Sequence, residues 1–139
     1  MIPYKSINIS QLNDFGKGTL SELLDMKVTD IGTDFLTMSM PVNSRVYQPL
    51  GLLHGGAVAA LAENVASFAG NLIAGEKGKA CVGLTLNTNH LKSVKEGLIY
   101  ATAKPIHLGR STQVWEVETK TEAGDLINVT RMTLAVIDK

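Results

Sequence analysis

Glu63 lies in a run that is otherwise almost wholly apolar, among Ala57, Val58, Ala60, Leu61, Ala62, Val65, Ala66 and Phe68. A carboxylate kept from water without a partner costs on the order of several kcal/mol, and carboxylates so placed bind protons more readily. That property suits a general base. Two other readings stay open: an exposed helix edge, or an ion pair that fixes a dimer. Ser67 follows one helical turn later on the same face, where a hydroxyl orients the carboxylate or holds a water, or where a small residue permits close packing. The segment entering the run, Gln48-Pro49-Leu50-Gly51-Leu52-Leu53-His54-Gly55-Gly56, is glycine-rich. Gly55-Gly56 at a helix start lets a carbonyl approach backbone N–H groups at the positive end of the helix dipole, an oxyanion-stabilising geometry. His54, taken alone, fits a cap or turn, and gains interest from Glu63 at a defined distance along the helix.

Other chemistries fit poorly. His54, His90 and His107 have no close ligand spacing and Cys81 is the single cysteine, so neither a metal site nor an intrachain disulfide is expected. Cys81, early in an apolar strand, reads as a small buried thiol. No Gly-x-Ser-x-Gly elbow occurs, and Lys77-Gly78-Lys79-Ala80 lacks the glycine and hydroxyl of a phosphate loop.

The elements that must position these residues follow from pattern. The Ala-rich run from about Gly56 to Ala74 is too long and too poor in β-branched residues for a strand, and reads as a helix ended by Gly75. Before it, short helical pieces are expected, with Ser10 as one cap and Thr19 or Ser21 as another, then strands about a turn at Gly32-Thr33-Asp34. The second of these strands alternates Leu36, Met38 and Met40 with Thr37 and Ser39, and Pro41 closes it. After the helix come four consecutive antiparallel strands, Ala80–Leu91, Leu98–His107, Thr112–Thr121 and Leu126–Ile137. Trp115 and Val117 share one face of the third, opposite Glu116, Glu118 and Lys120. An antiparallel sheet with one dry face and a single long apolar helix has one economical arrangement: the sheet curls around the helix, the α+β hot-dog fold.

At 139 residues, 45% apolar and 19% charged, the chain is read as one domain, 1–139. Zero formal net charge and the absence of a basic run exclude an electrostatic footprint for nucleic acid or an anionic membrane. Gly51–Ala74 is apolar enough to raise a membrane span, but Glu63, Asn64 and Asn71 argue for a core helix instead. The first residues lack a signal-peptide core, so a cytoplasmic location is expected.

Gln48, His54-Gly55-Gly56, Glu63 and Ser67 together resemble the hot-dog thioesterases of the phenylacetate and 4-hydroxybenzoyl-CoA type, nearest the bacterial branch acting on 1,4-dihydroxy-2-naphthoyl-CoA. The likeness extends over Pro41–Arg45, Val82-Gly83-Leu84, Asn87–His90 and Lys104–Gly109. It implies hydrolysis of an acyl-CoA, aromatic in its acyl group, without metal or redox cofactor, by a homodimer or homotetramer, with menaquinone biosynthesis as one setting. It further implies Glu63 as base or nucleophile, the Gly55 N–H and the Gln48 amide on the thioester carbonyl, and His54 supporting the loop. Ser67 would place the carboxylate or water, His90 would lie near the acyl group, and Gly109, Arg110 and Ser111 would meet the nucleotide of coenzyme A. A satisfied sheet histidine at His90 and a solvated turn at Arg110 stay open. Two rival functions share the fold: a non-catalytic acyl-CoA binder, which has no need of Glu63, and a hydroxyacyl-thioester dehydratase, in which a histidine would share the acid–base work. Helix geometry adds one expectation. Eight residues at about 1.5 Å each separate Gly55 from Glu63 by roughly 12 Å, so the site is expected to combine Gly55 of one chain with Glu63 of another.

Overall fold

The computed structural model describes residues 1–139. Two short helices, α1 (Ile9–Asp14) and α2 (Leu20–Leu23), precede strands β1 (Lys27–Ile31) and β2 (Leu36–Val42). The long helix α3 (Gly55–Gly75) follows, then β3 (Lys79–His90), β4 (Gly97–Leu108), β5 (Thr112–Thr121) and β6 (Leu126–Asp138).

All six strands form one antiparallel sheet in the order β1-β2-β4-β5-β6-β3. The expected meander therefore holds only for β4, β5 and β6. β3 does not pair with β4; it crosses to the far side, joins β6 from Lys79↔Asp138 to His90↔Asn128, and ends as an edge strand. Two smaller expectations are also corrected. Asn8, rather than Ser10, caps α1, because its carboxamide accepts the Ser10 N–H. Pro41 lies inside β2, which runs one residue further to Val42. Thr19 caps α2 as its position suggested.

The buried residues of α3, Val58, Leu61, Ala62, Val65, Ala66, Ala69, Gly70 and Ala74, recur at the three- and four-residue spacing of one helix face. That face meets the inward side chains of β2 to β6, including Met38, Ile99, Trp115, Val117 and Leu134, all essentially without solvent exposure. By length and composition α3 would pass for a membrane span, but it is the core helix of this sheet.

Polar side chains tie helix to strand. Asn71 accepts the Cys81 N–H at 2.8 Å and donates to the Cys81 carbonyl at 3.1 Å, so one carboxamide pins α3 to the start of β3. Asn64 donates to the Ser21 hydroxyl and holds α2. Cys81 is buried, and loss of water pushes its thiol pKa up, away from nucleophile chemistry. Asn71→Ala should cost about 2 kcal/mol in urea unfolding, since the Cys81 backbone loses two partners in a place water reaches poorly.

Candidate active site

The loop before α3 is folded on itself. Tyr47 bridges to Leu53, the Gln48 N–H donates to the Leu52 carbonyl at 2.8 Å, and the Gly51 N–H returns to the Gln48 carbonyl at 2.9 Å. Gly51 has φ 75°, a left-handed conformation that glycine adopts without strain. The Gln48 side-chain carbonyl accepts the Leu50 N–H, which leaves the amide NH2 as the group with donors to offer. The helix start is tethered by His54 N–H to the Val46 carbonyl at 2.7 Å and Leu53 N–H to the Val94 carbonyl at 2.8 Å.

The first turn of any α-helix has N–H groups without helical partners. Here His54 takes two of them, its Nδ1 accepting the Gly56 N–H at 2.8 Å and its carbonyl that of Ala57 at 3.0 Å, and the same carbonyl accepts the first regular helical bond, from Val58. Gly55 alone keeps an N–H without an acceptor in the chain. His54 is thus the cap its sequence position suggested, and its capping selects which amide stays free. Gly55 also lies against His90: a Cβ added at Gly55 would meet His90 Nε2 at 2.6 Å, so any side chain there must displace the ring. Gln48, Gly55 and His90 line one cavity of about 330 Å³, walled by Leu53, Val58 and Ile127.

Glu63 lies elsewhere. Two turns further along α3, its carboxylate rests over Gly83, where an added Cβ would meet Oε1 at 2.7 Å and Met132 Cε at 2.8 Å. Of the readings left open for Glu63, the single chain shows the exposed helix edge and not the buried carboxylate, because the apolar run covers more of the helix surface than the core face needs. Ser67 is half-buried, in a separate groove of about 380 Å³ with Leu12, Phe15 and Phe68. The turn Gly109-Arg110-Ser111 joins β4 to β5 at Glu63's end of the sheet, since Gln113 pairs with Leu134 and Leu134 with Gly83. The Ser111 carbonyl accepts the Val136 N–H, and the exposed Arg110 has no ion-pair partner.

The expected site residues therefore form two groups. Gln48, His54, Gly55 and His90 gather at one end of β3, and Glu63 and the Gly109–Ser111 turn at the other, with Ser67 one helical turn beyond Glu63. Gly83 and His90 are seven residues apart, about 23 Å along an extended strand. Gly83, which lets the carboxylate settle on the sheet, had no role assigned from sequence. Its signal is a glycine inside a strand, a mark of close approach. A larger hollow of about 590 Å³ between α1, α2 and β1 is lined mainly by polar and charged side chains, including the Asp14–Lys17 ion pair, and has no such convergence of donors.

An antiparallel sheet packed around one long helix is the hot-dog arrangement. The comparisons agree, and the chain belongs to the thioesterase superfamily, whose profile matches residues 50–128. It is 43% identical over 137 residues to the 1,4-dihydroxy-2-naphthoyl-CoA hydrolase of Escherichia coli K12, covering 99% of this chain and 100% of that one. It is 39% identical to the proofreading thioesterase EntH of Cronobacter turicensis, covering 99% of each. The crystal structure of a Haemophilus influenzae thioesterase superimposes with a TM-score of 0.94 at 41% identity, covering 99% of this chain and 96% of that one.

Gly55→Ala and Gly83→Ala test the two ends separately. The first drives a methyl into the His90 ring and the second into the Glu63 carboxylate. Each should lower thioester hydrolysis by about 100-fold or more by misplacing one group, with circular dichroism unchanged.

Proposed function

We propose that this protein hydrolyses the thioester of an aromatic acyl-CoA in the cytoplasm, in an active site completed by a second copy of the chain. The observation that carries this reading is the separation of Gly55 and Glu63 to opposite ends of β3. No single chain can present both to one carbonyl, because a reacting carbonyl needs its donor about 3 Å from oxygen and its attacking group close to carbon.

β3 supplies the means of joining two copies. Its outer edge has no partner strand, and Val82 and Leu84 are 46% and 57% exposed. A second β3 laid antiparallel along that edge, about a two-fold axis near Leu86 and Asn87, exchanges the two ends. His90 and Gly55 of each chain then meet Gly83 and Glu63 of the other. Such a dimer holds two equivalent sites, and pairing of dimers gives a homotetramer.

In this site the thioester oxygen accepts from the Gly55 N–H and the Gln48 amide, which stabilise the charge that grows as the carbonyl is attacked. Glu63 of the other copy takes a proton from water as the water adds to the carbonyl carbon. The same carboxylate reaches the carbon directly in the alternative route through an anhydride, which water then opens. Either way the C–S bond breaks, the thiolate leaves and takes up a proton, and a free acid and coenzyme A result. Ser67, one turn beyond Glu63, orients the carboxylate or its water. Arg110 grips phosphate at the nucleotide end of the substrate with Gly109 and Ser111, a reading supported by its exposure and its lack of an ion-pair partner on the turn at the Glu63 end. An aromatic acyl group such as 1,4-dihydroxy-2-naphthoyl is supported by the substrate in the name of the E. coli relative and by the groove bearing Phe15 and Phe68.

Glu63→Gln should lower kcat by at least about 100-fold while the protein stays folded. Mixed with Gln48→Ala by subunit exchange, it should regain up to about half of wild-type activity per heterodimer, because one site collects both defects and the other none. Confirmed exchange without any rise above the separate variants would rule out the shared site. Arg110→Ala should raise KM for a coenzyme A ester several-fold and leave KM for the matching N-acetylcysteamine thioester unchanged, since the latter has no phosphate.

A further inference from the structure

His90 does not stand alone. Its Nδ1 is 3.1 Å from the carboxamide nitrogen of Asn128, its direct cross-strand partner on β6. Asn128 has no solvent exposure. The same carboxamide nitrogen donates to the Thr88 hydroxyl at 2.7 Å, and the carboxamide oxygen accepts the hydroxyl of the fully buried Thr130 at 2.7 Å. Thr88 and Thr130, themselves cross-strand partners, lie 2.8 Å apart.

The protons in this cluster can be counted. Thr130 spends its single hydrogen on the Asn128 oxygen, so in the Thr88–Thr130 contact Thr88 must donate. Thr88 then accepts one Asn128 hydrogen through a lone pair, and the second Asn128 hydrogen faces His90 Nδ1. A nitrogen that accepts cannot carry the proton of a neutral imidazole. With the carboxamide nitrogen facing Nδ1, this arrangement assigns the proton to Nε2, the atom that packs against Gly55.

We propose that Asn128, braced by Thr88 and Thr130, is a positioning residue that holds His90 as its Nε2–H tautomer, making His90 a third hydrogen-bond donor beside Gly55 and Gln48 in the thioester-carbonyl cavity. This rests on the hydrolase reading above for the identity of the acceptor, but the tautomer is a property of the free protein. The cavity then offers donors from three elements: the Gly55 N–H, the Gln48 NH2 and the His90 Nε2–H. Within one chain the other titratable side chain lining it is Lys92, tied to Asp125 at 2.9 Å, and in the shared site Glu63 of the second copy faces it as well. Neighbouring His54 is committed through Nδ1 to Gly56. A neutral Nε2–H at His90 is a donor aimed at the same cavity as the Gly55 N–H and the Gln48 amide.

The first test is a two-bond 1H–15N spectrum of the wild-type protein with labelled histidine. Protonated Nε2 and unprotonated Nδ1 at His90 are expected, and the reverse pattern overturns the proposal whatever the protein hydrolyses. The second is the pH profile of Asn128→Asp. A carboxylate facing Nδ1 makes that atom the donor and, in the neutral ring, turns a lone pair on Nε2 toward the carbonyl. Activity should fall as the ring loses its second proton, by at least about tenfold more at pH 8.5 than at pH 6 relative to wild type. A uniform loss across that range would mean a purely structural role and would sink the proposal. Should Asn128→Asp not fold, Thr130→Val, nearly isosteric, removes the hydroxyl that orients the carboxamide. It should produce a mixture of His90 tautomers together with a fall in kcat larger than any change in KM, and an unmixed Nε2–H signal with full kcat would count against the bracing role. Finally, His90→Gln, which retains a donor near the Nε2 position, should keep at least about ten times the kcat of His90→Ala. Equal losses in both would remove His90 from the donor set. A wild-type Nε2–H signal in a protein inert toward aroyl-CoA esters would refute the hydrolase reading and leave the tautomer assignment intact.

Discussion

The burial of α3 across the sheet is the constraint on which the rest of this structure depends. A helix whose inner face is fully used by Val58, Leu61, Val65 and Ala69 has no freedom to slide or rotate, and Asn71 fixes its far end to Cys81. Everything placed on that rod is therefore placed relative to β3: Gly55 at His90, Glu63 at Gly83, Asn71 at Cys81. The rigidity gives each group accurate placement, and it also fixes the distance between amide and carboxylate at a value no side chain can bridge.

Much of this was legible in the sequence, for reasons that differ by element. The helix and the strand Thr112–Thr121 were readable because their patterns are local: an alanine-rich run, and alternation of Trp115 and Val117 with charged residues. The place of β3 was not readable, because which strand lies beside which is decided by tertiary packing, and the crossing of β3 to β6 leaves no mark in the spacing of its residues. Whether Glu63 was exposed or buried could not be decided from the sequence, for a related reason. Apolar residues on α3 that look like core from composition belong partly to surface the single chain leaves open, so counting them overstates how much of the helix is inside.

The cap at His54 shows how one local choice has consequences several residues away. Had the helix begun with a serine or aspartate cap, the geometry of the first turn would be similar. The imidazole does the same capping and, with the backbone carbonyl of the same residue, absorbs all the early amides except one. The polar cluster of Thr88, Asn128 and Thr130 was invisible for the opposite reason: in sequence these residues look like an ordinary solvated strand face, whereas the structure buries Asn128 and Thr130 completely.

The open edge of β3 has a cost during synthesis. Edge strands are commonly guarded by lysine, proline or a covering loop, devices that prevent pairing with stray chains. After Lys79 at its start this strand has no lysine, acidic residue or proline as far as His90, and its middle alternates Leu84 and Leu86 with Gly83, Thr85 and Asn87. A gatekeeper charge there would protect the newly made monomer, but it would also stand in the seam of the dimer proposed above. On the proposed shared-site dimer, protection of the solitary protomer is exchanged for a seam that can close, and the solubility of a newly made copy would then depend on how quickly it finds another.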